Sequence, residues 1–375
     1  MSAVIDAAGA PWQFAKCVST VSQRGVQKLN PLQHGSVSHH EQPVFGLGLS
    51  GFAPGEKKEL ESRLASRAGR PRWRFGAFAE ADAWWINGAR VRLMPDGMLR
   101  IAPGLPNEKA LRLDLAAVDR PVAFATPLAL AEPGSHRQFD PRSPLSIEQT
   151  LLQFDAWLRQ ARAQFVLGAR IVEAGEQFDG GVYHVSHENR LLAVIDFEQR
   201  RAAFMPRAHP VALWEARWSR RPTGAHDLPE SFAPTTPAEL AWMYARHSER
   251  NLLPSRYRHR TIHYRRVPRV PLRMLRDSQL QILNELATGG LTLDELEVRT
   301  AWPRQRLERD LACLYFANAI TTAQRNPDSI GRLAADDPVL RVVPHQRQDA
   351  GLTTPVMLEL GADTVPVLAR RPQAG

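Results

Sequence analysis

From Val44 onward the apolar positions fall into short runs separated by polar turns. Val44-Phe-Gly-Leu-Gly-Leu-Ser50 is an apolar run ending at Gly51 and reads as a buried strand. Pro54 to Gly69 reads as a helix, with Leu60 and Leu64 on one face and Gly69 as its stop. Arg72 to Phe78 gives a second strand, 79–83 a short helix, Ala83 to Asn87 a third strand, and Pro121 to Leu128 a later one. Strand and helix in alternation predict a small parallel α/β sheet over 43–130.

Further along, Ser146 to Leu167 predicts one amphipathic helix opening at Ser146, with Leu151, Leu152, Phe154, Trp157, Leu158 and Phe165 available for burial. Gly181 to Ser186 and Leu191 to Phe197 read as a hairpin turning near Glu188-Asn189, followed by a strand from Ala202 to Met205. Pro222 to Pro237 reads as loop and Pro237 to Arg246 as helix. Residues 146–245 thus form an α+β middle module. Asp277 to Ala287 carries Leu280, Ile282, Leu283 and Leu286, and Gly289-Gly290 breaks it. Thr292 to Thr300 opens with a capping box formed by Thr292 and Glu295. Pro303 to Ala317 is a third helix and Ile320 to Ala323 a short strand. Residues 1–42 lack periodicity and read as a mobile leader, 131–145 as a linker, and 326–375 as a mostly disordered tail with one apolar stretch at 356–360.

Over 43–130 the order and lengths resemble a response-regulator receiver domain. That family uses an acidic pair after its first strand to hold magnesium and an aspartate ending the third strand to accept phosphate. Here Ser50-Gly51-Phe52 and Asn87-Gly88 stand in those places, and Arg120 rather than lysine precedes Pro121. Asparagine is a poor nucleophile, and without carboxylates there is little to bind Mg²⁺. The resemblance therefore implies a degenerate receiver that serves as a docking or dimerising platform, with a homodimer among the outcomes. Three helices and a strand over 277–325 resemble a winged helix, whose third helix would offer Arg304, Arg306 and Arg309 to a DNA groove. The predicted fold class is α/β plus α+β: a receiver-like parallel-sheet domain, an α+β middle module and a C-terminal winged helix.

Charge placement sharpens this picture. The 48 basic residues comprise five lysines (16, 28, 57, 58 and 109) and otherwise arginine, and the net charge is +9. Ten arginines fall between Arg246 and Arg276 against a single acid, Glu249, with tyrosines and histidines interleaved. Guanidinium groups bind phosphate and carboxylate oxygens in a bidentate fork, so the segment suits an anionic partner. The alternation from Arg258 to Arg265 predicts a strand with a basic face. A solvated strand and linker, its arginines paired to acids elsewhere, is the plainer reading. Residues 277–325 are by contrast slightly acidic, which weighs against a free-standing DNA reader. The candidate polyanion-binding residues are Arg256, Arg258, Arg260, Arg265, Arg266, Arg269, Arg273, Arg304, Arg306 and Arg309. Arg256/Arg260, Arg265/Arg269 and Arg269/Arg273 also have the RxxxR spacing of cyclic-dinucleotide receptors of the PilZ type, although the acid-x-Ser-x-x-Gly half of that motif is not found nearby.

The 375 residues exceed one typical domain. Cys17 and Cys313, far apart, give neither a disulfide framework nor a cysteine-based zinc site, and Cys313 reads as a core thiol. No secretory signal and no 18-residue apolar window is visible, which predicts a cytoplasmic protein without membrane association. Phosphate-cradling loops, nucleophile elbows and metalloprotease motifs do not occur. His184 and His187 lie three apart on a predicted strand and would face opposite ways. Asp196, an acid in an apolar run, reads as the cap of a neighbouring turn. The sequence thus points to a non-enzymatic bacterial signalling or regulatory protein without cofactor, with DNA or a signalling protein as partner. A cyclic-dinucleotide effector is the alternative.

Overall fold

The computed structural model describes residues 41–65, 72–105, 109–128, 137–222 and 224–323. Nearly all of the expected leader and the whole expected tail lie outside these residues, as do 131–136 of the expected linker.

The first part is a five-stranded sheet. Its elements run β1 (Val44–Ser50), α1 (Pro54–Ala65), β2 (Arg72–Gly76) and β3 (Ala83–Asn87). Three short strands then intervene, β4 (Val91–Leu93), β5 (Leu99–Ile101) and β6 (Leu111–Leu113), before β7 (Val122–Ala125) and β8 (Arg137–Phe139). The large sheet has order β2-β1-β3-β7-β8, and every neighbouring pair is parallel. One face, with Phe45, Leu47, Trp73, Trp85 and Phe139, packs against α1 and the following helix, α2 (Pro144–Trp157). The other face, with Trp84, Ile86 and Phe124, is covered by the antiparallel β4-β5-β6 meander. The expected helix at 79–83 is a single 3-10 turn, Phe78–Glu80. β8 lies inside the expected linker, so the last strand is not the one that follows Arg120-Pro121. A three-residue strand shows no alternation, which is why pattern alone did not place it.

The expected single helix from Ser146 is two, α2 and α3 (Arg159–Glu173), joined at Leu158. Ser143 caps α2 and Pro144 opens it, three residues before the expected start. The middle sheet comprises β9 (Val182–His187), β10 (Arg190–Asp196), β11 (Arg201–Phe204), β12 (Arg217–Arg220) and β13 (Ala233–Thr235), with the short α4 (Pro210–Trp214) between β11 and β12. Its order is β12-β9-β10-β11-β13, all antiparallel. Glu188 and Asn189 both take positive φ, the conformation that a tight two-residue hairpin requires. α5 (Pro237–His247), capped by Thr236, packs beside α3 on this sheet's apolar core. The contact is close: a Cβ on Gly168 would stand 2.0 Å from the Leu240 carbonyl oxygen.

α5 also faces the C-terminal helices. Ala241, Trp242, Met243 and Ala245 share one core with α7 (Asp277–Thr288), α8 (Leu293–Thr300) and α9 (Arg304–Phe316). Thr292 and Glu295 form the expected reciprocal cap of α8. The arginine-rich segment contributes Leu253, Tyr257, Ile262, Val270 and Leu275 to the same core, so it is packed chain and not a free linker. The strand expected from Arg258 to Arg265 is instead a single helical turn, α6 (Arg256–His259), followed by the two-residue β14 (His263–Tyr264). Burial of Tyr257 against Tyr315 overrides the alternation there. β14 pairs antiparallel with β15 (Ile320–Thr321), and residues beyond 323 lie outside the described chain.

Candidate functional site: an arginine cluster

The sequence predicted anion-binding arginines, and the fold divides them into two groups. The first lies against the molecule's own side chains, and Arg304, Arg306 and Arg258 meet acids there. Arg304 pairs with Asp294 at 2.5 Å and Glu297 at 3.5 Å. Arg306 pairs with Glu80 at 2.7 Å and lies over the Trp302 ring. Arg258 stands 3.2 Å from Glu308, and Arg256 lies over the rings of Tyr257 and Tyr315. Arg309 is half-buried close to Cys313. The third helix itself, α9, is buried from Asp310 to Phe316. Asp310 accepts hydrogen bonds from Ser278 at 2.8 Å and Gln279 at 3.1 Å, which holds α7 against α9.

The second group is Arg265, Arg266 and Arg269. Their backbone is pinned to the end of α9, because the Arg265 and Arg269 amides donate to the Ala319 and Ala317 carbonyls at 2.8 Å each. The chain turns there, and Pro268 and Val270 are buried beneath it while Arg266 stays exposed. A fourth member, Arg200, comes from the β10–β11 turn of the middle sheet. It adopts a φ of 55°, a left-handed backbone that costs a non-glycine residue energy.

These four guanidiniums act on one another. Desolvation first, then Arg200, Arg266 and Arg265, pull the Arg269 guanidinium down to about 10. Arg266 is lowered by desolvation and by Arg265 and Arg200, and Arg200 by desolvation and Arg265. Arg265 donates to the Asn318 side-chain carbonyl, a neutral partner. Among the described residues no carboxylate lies within ion-pair distance of any of the four. The neighbouring acid, Asp196, is already engaged: it caps the turn by accepting the Gln199 amide at 2.8 Å and meets His226 at 2.9 Å. Like charges held together without counter-ions are costly unless an anion joins them. Arg260 and Arg273, both exposed, lie on the same segment outside this cluster.

Two other places were candidates. At the amino-terminal edge of the parallel sheet, a cleft of about 220 Å³ is lined by Asp82, Arg120, Arg246 and Arg276 among others. Its charges are largely matched: Asp82 accepts the Gly46 amide at 2.8 Å and meets His247 Nε2 at 3.1 Å and Arg246 at 3.4 Å. Burial works against the Asp82 charge, but His247, Arg246 and the Gly46 amide outweigh it and hold the carboxyl far below the usual range. At the opposite edge, where a receiver would carry phosphate, the Asn87 side chain accepts the Ala89 amide and stands 3.4 Å from Glu56. Chain 102–104 seals this edge, since a Cβ on Gly104 would fall 1.8 Å from the Phe52 carbonyl oxygen. Among the described residues no group of three or more His, Cys, Asp or Glu could hold a metal ion. His184 and His187 do not converge: His184 is lowered by burial and Arg221, and His187 faces Glu188 and Glu215 at 3.8 Å.

Arg200 had no linear signal. It is 65 residues before Arg265, and a left-handed turn position is signalled by glycine or asparagine, not by arginine. No protein-family model, curated protein or solved structure matches the chain. No helix among the described residues is long and apolar enough to cross a membrane.

Proposed function

We propose that this chain is a non-enzymatic regulatory protein that docks an anionic surface of another protein through the segment carrying Arg265, Arg266 and Arg269. The single observation behind this reading is the un-neutralised cluster at Arg265, Arg266 and Arg269. A protein partner is favoured over DNA because Arg304 and Arg306 of α9 are engaged with the molecule's own acids and the helix is mostly buried. The strand order of the parallel sheet is that of receiver-like doubly wound domains, which supports the receiver resemblance. Its meander-covered face departs from that pattern, and its sealed carboxyl edge supports a platform role without phosphotransfer.

The test is binding of the full chain to poly-glutamate and to duplex DNA across a salt series. Poly-glutamate should bind with a salt slope that flattens when Arg265, Arg266 and Arg269 are replaced by Ala. DNA binding that survives those substitutions, with poly-glutamate not bound, overturns the reading. The second reading is a cyclic-dinucleotide effector, favoured by one observation: Arg265 and Arg269, an RxxxR pair, both belong to the cluster. Calorimetry with cyclic di-GMP separates the two.

A further inference from the structure

We propose that the outer face of the β4-β5-β6 meander, which carries Arg92, Arg100 and Arg112, docks an acidic α-helix of a partner protein. This goes beyond the docking segment at Arg265, Arg266 and Arg269 and does not depend on it.

Strand register brings the three arginines together. Arg92 of β4 stands directly opposite Arg100 of β5, and Arg100 directly opposite Arg112 of β6. Each is the middle residue of a three-residue strand. Val91, Leu99, Ile101 and Leu113 are buried against the large sheet, so alternation turns all three arginines to the opposite, exposed face. Arg112 pairs with the exposed Asp96 at 2.7 Å, a surface contact that a partner's carboxylate can replace. Arg92 and Arg100 have no hydrogen-bond or ion-pair partner among the described residues. Like charges directly opposite one another destabilise a sheet, so the row does not serve to hold the meander together.

Spacing selects the partner. Opposed Cα atoms in antiparallel strands lie about 4.5–5.5 Å apart, so the row spans roughly 10 Å. A helix rises about 1.5 Å per residue, so acids at i, i+4 and i+7 form one stripe about 10.5 Å long. On one face of an extended strand acids recur at about 6.8 Å, and three of them span about 13–14 Å, overrunning the row. The partner helix therefore lies across the three strands, with one carboxylate on each guanidinium. Leu93, 62% exposed and next to Arg92, offers an apolar contact at the rim, which fits a protein better than a nucleic acid. The three strands also hold no aromatic side chain on which a base could stack.

The experiment is fluorescence anisotropy of labelled probes against the full chain at low ionic strength, where exposed charges are least screened. The first probe is a helical peptide with Glu at i, i+4 and i+7. The second has the same composition with its three Glu spread around the helix, and the third is duplex DNA. The first peptide should bind saturably and the second about tenfold more weakly. R92Q and R100Q should each lose about threefold, and the double variant about tenfold, as exposed pairs do. D96N, which frees Arg112, should tighten binding. R265A/R266A/R269A should leave the affinity within about twofold, because those residues lie outside the meander. Without probe, R92Q and R100Q should melt at or above the parental temperature, so that lost binding is not lost fold. The proposal is overturned if the two peptides bind equally or if R92Q/R100Q binds as the parent does. Binding of DNA alone through these arginines overturns it by assigning the face to nucleic acid. Peptide binding lost in R265A/R266A/R269A but kept in R92Q/R100Q overturns it too, and leaves the docking segment standing.

Discussion

His247 Nε2 lies 3.1 Å from Asp82 Oδ1, joining the end of α5 to the residue just before β3 across 165 positions of chain. Arg246 reaches the same oxygen at 3.4 Å. The two residues that begin the arginine-rich segment thus anchor the parallel-sheet domain.

Removing one member of a buried pair leaves the others uncompensated, at about 3–5 kcal/mol. Asp82→Ala should therefore destabilise the protein by that order in urea unfolding. The Asp82 carboxyl is held below its unfolded value, so its contribution is complete above the ordinary aspartate range, near pH ~4, and is lost as pH falls below it. The stability gap between the parent and Asp82→Asn should narrow on acidification from about pH 5 to about pH 2. A gap that stays constant over this window would show that the charge contributes nothing.

Gly168 sits where α3 and α5 touch. A methyl group there meets the Leu240 carbonyl oxygen at 2.0 Å and Tyr244 Cβ at 2.9 Å. Gly168→Ala should separate the helices and cost about 1–3 kcal/mol or more, as overpacking does. An unchanged urea midpoint would mean the two helices slide apart freely.

Cys313 is fully buried, and burial followed by Asp310 pushes its thiol up to about 12. Thiolate is the reactive form, so in a Cys17→Ser background the native protein should resist a disulfide reagent at neutral pH and react only once unfolded. Fast labelling of the native state would place Cys313 at an accessible surface.

The two groups of arginines should separate in binding assays. Arg304→Ala and Arg306→Ala remove cations already held by Asp294 and Glu80, and should leave poly-glutamate affinity within about twofold while loosening local contacts. Arg265→Ala and Arg266→Ala should weaken it by much more. Equal losses in both pairs would mean that total charge, and not placement, governs binding.

Much of the fold was legible where a local rule decides the structure. The β9–β10 hairpin follows from Glu188-Asn189 accepting positive φ, and α8 from the Thr292–Glu295 cap. β8 and the β4–β6 meander were missed because three-residue strands are defined by their partners and not by periodicity. The arginine-rich segment misled for the same reason. Arg258 and Arg265 share an alternating pattern, but Tyr257 and Ile262 enter the core and turn the chain between them. Of the proposed docking segment, Arg265, Arg266 and Arg269 were visible as a dense run. The influence of Arg200 on Arg269 was not, because it acts between residues 69 positions apart in sequence.

Glu41 accepts the Ser248 hydroxyl at 2.7 Å, the Glu249 amide at 2.8 Å and the Tyr244 hydroxyl at 2.8 Å. The carboxylate serves as a clasp between the approach to β1 and the exit of α5, although periodicity places it within a leader. Trimming the gene at codon 43, the boundary that hydropathy suggests, would strip Ser248 and the Glu249 amide of this acceptor and leave the Tyr244 hydroxyl only Glu173 at 3.3 Å. A shortened protein intended for crystallography should keep Glu41.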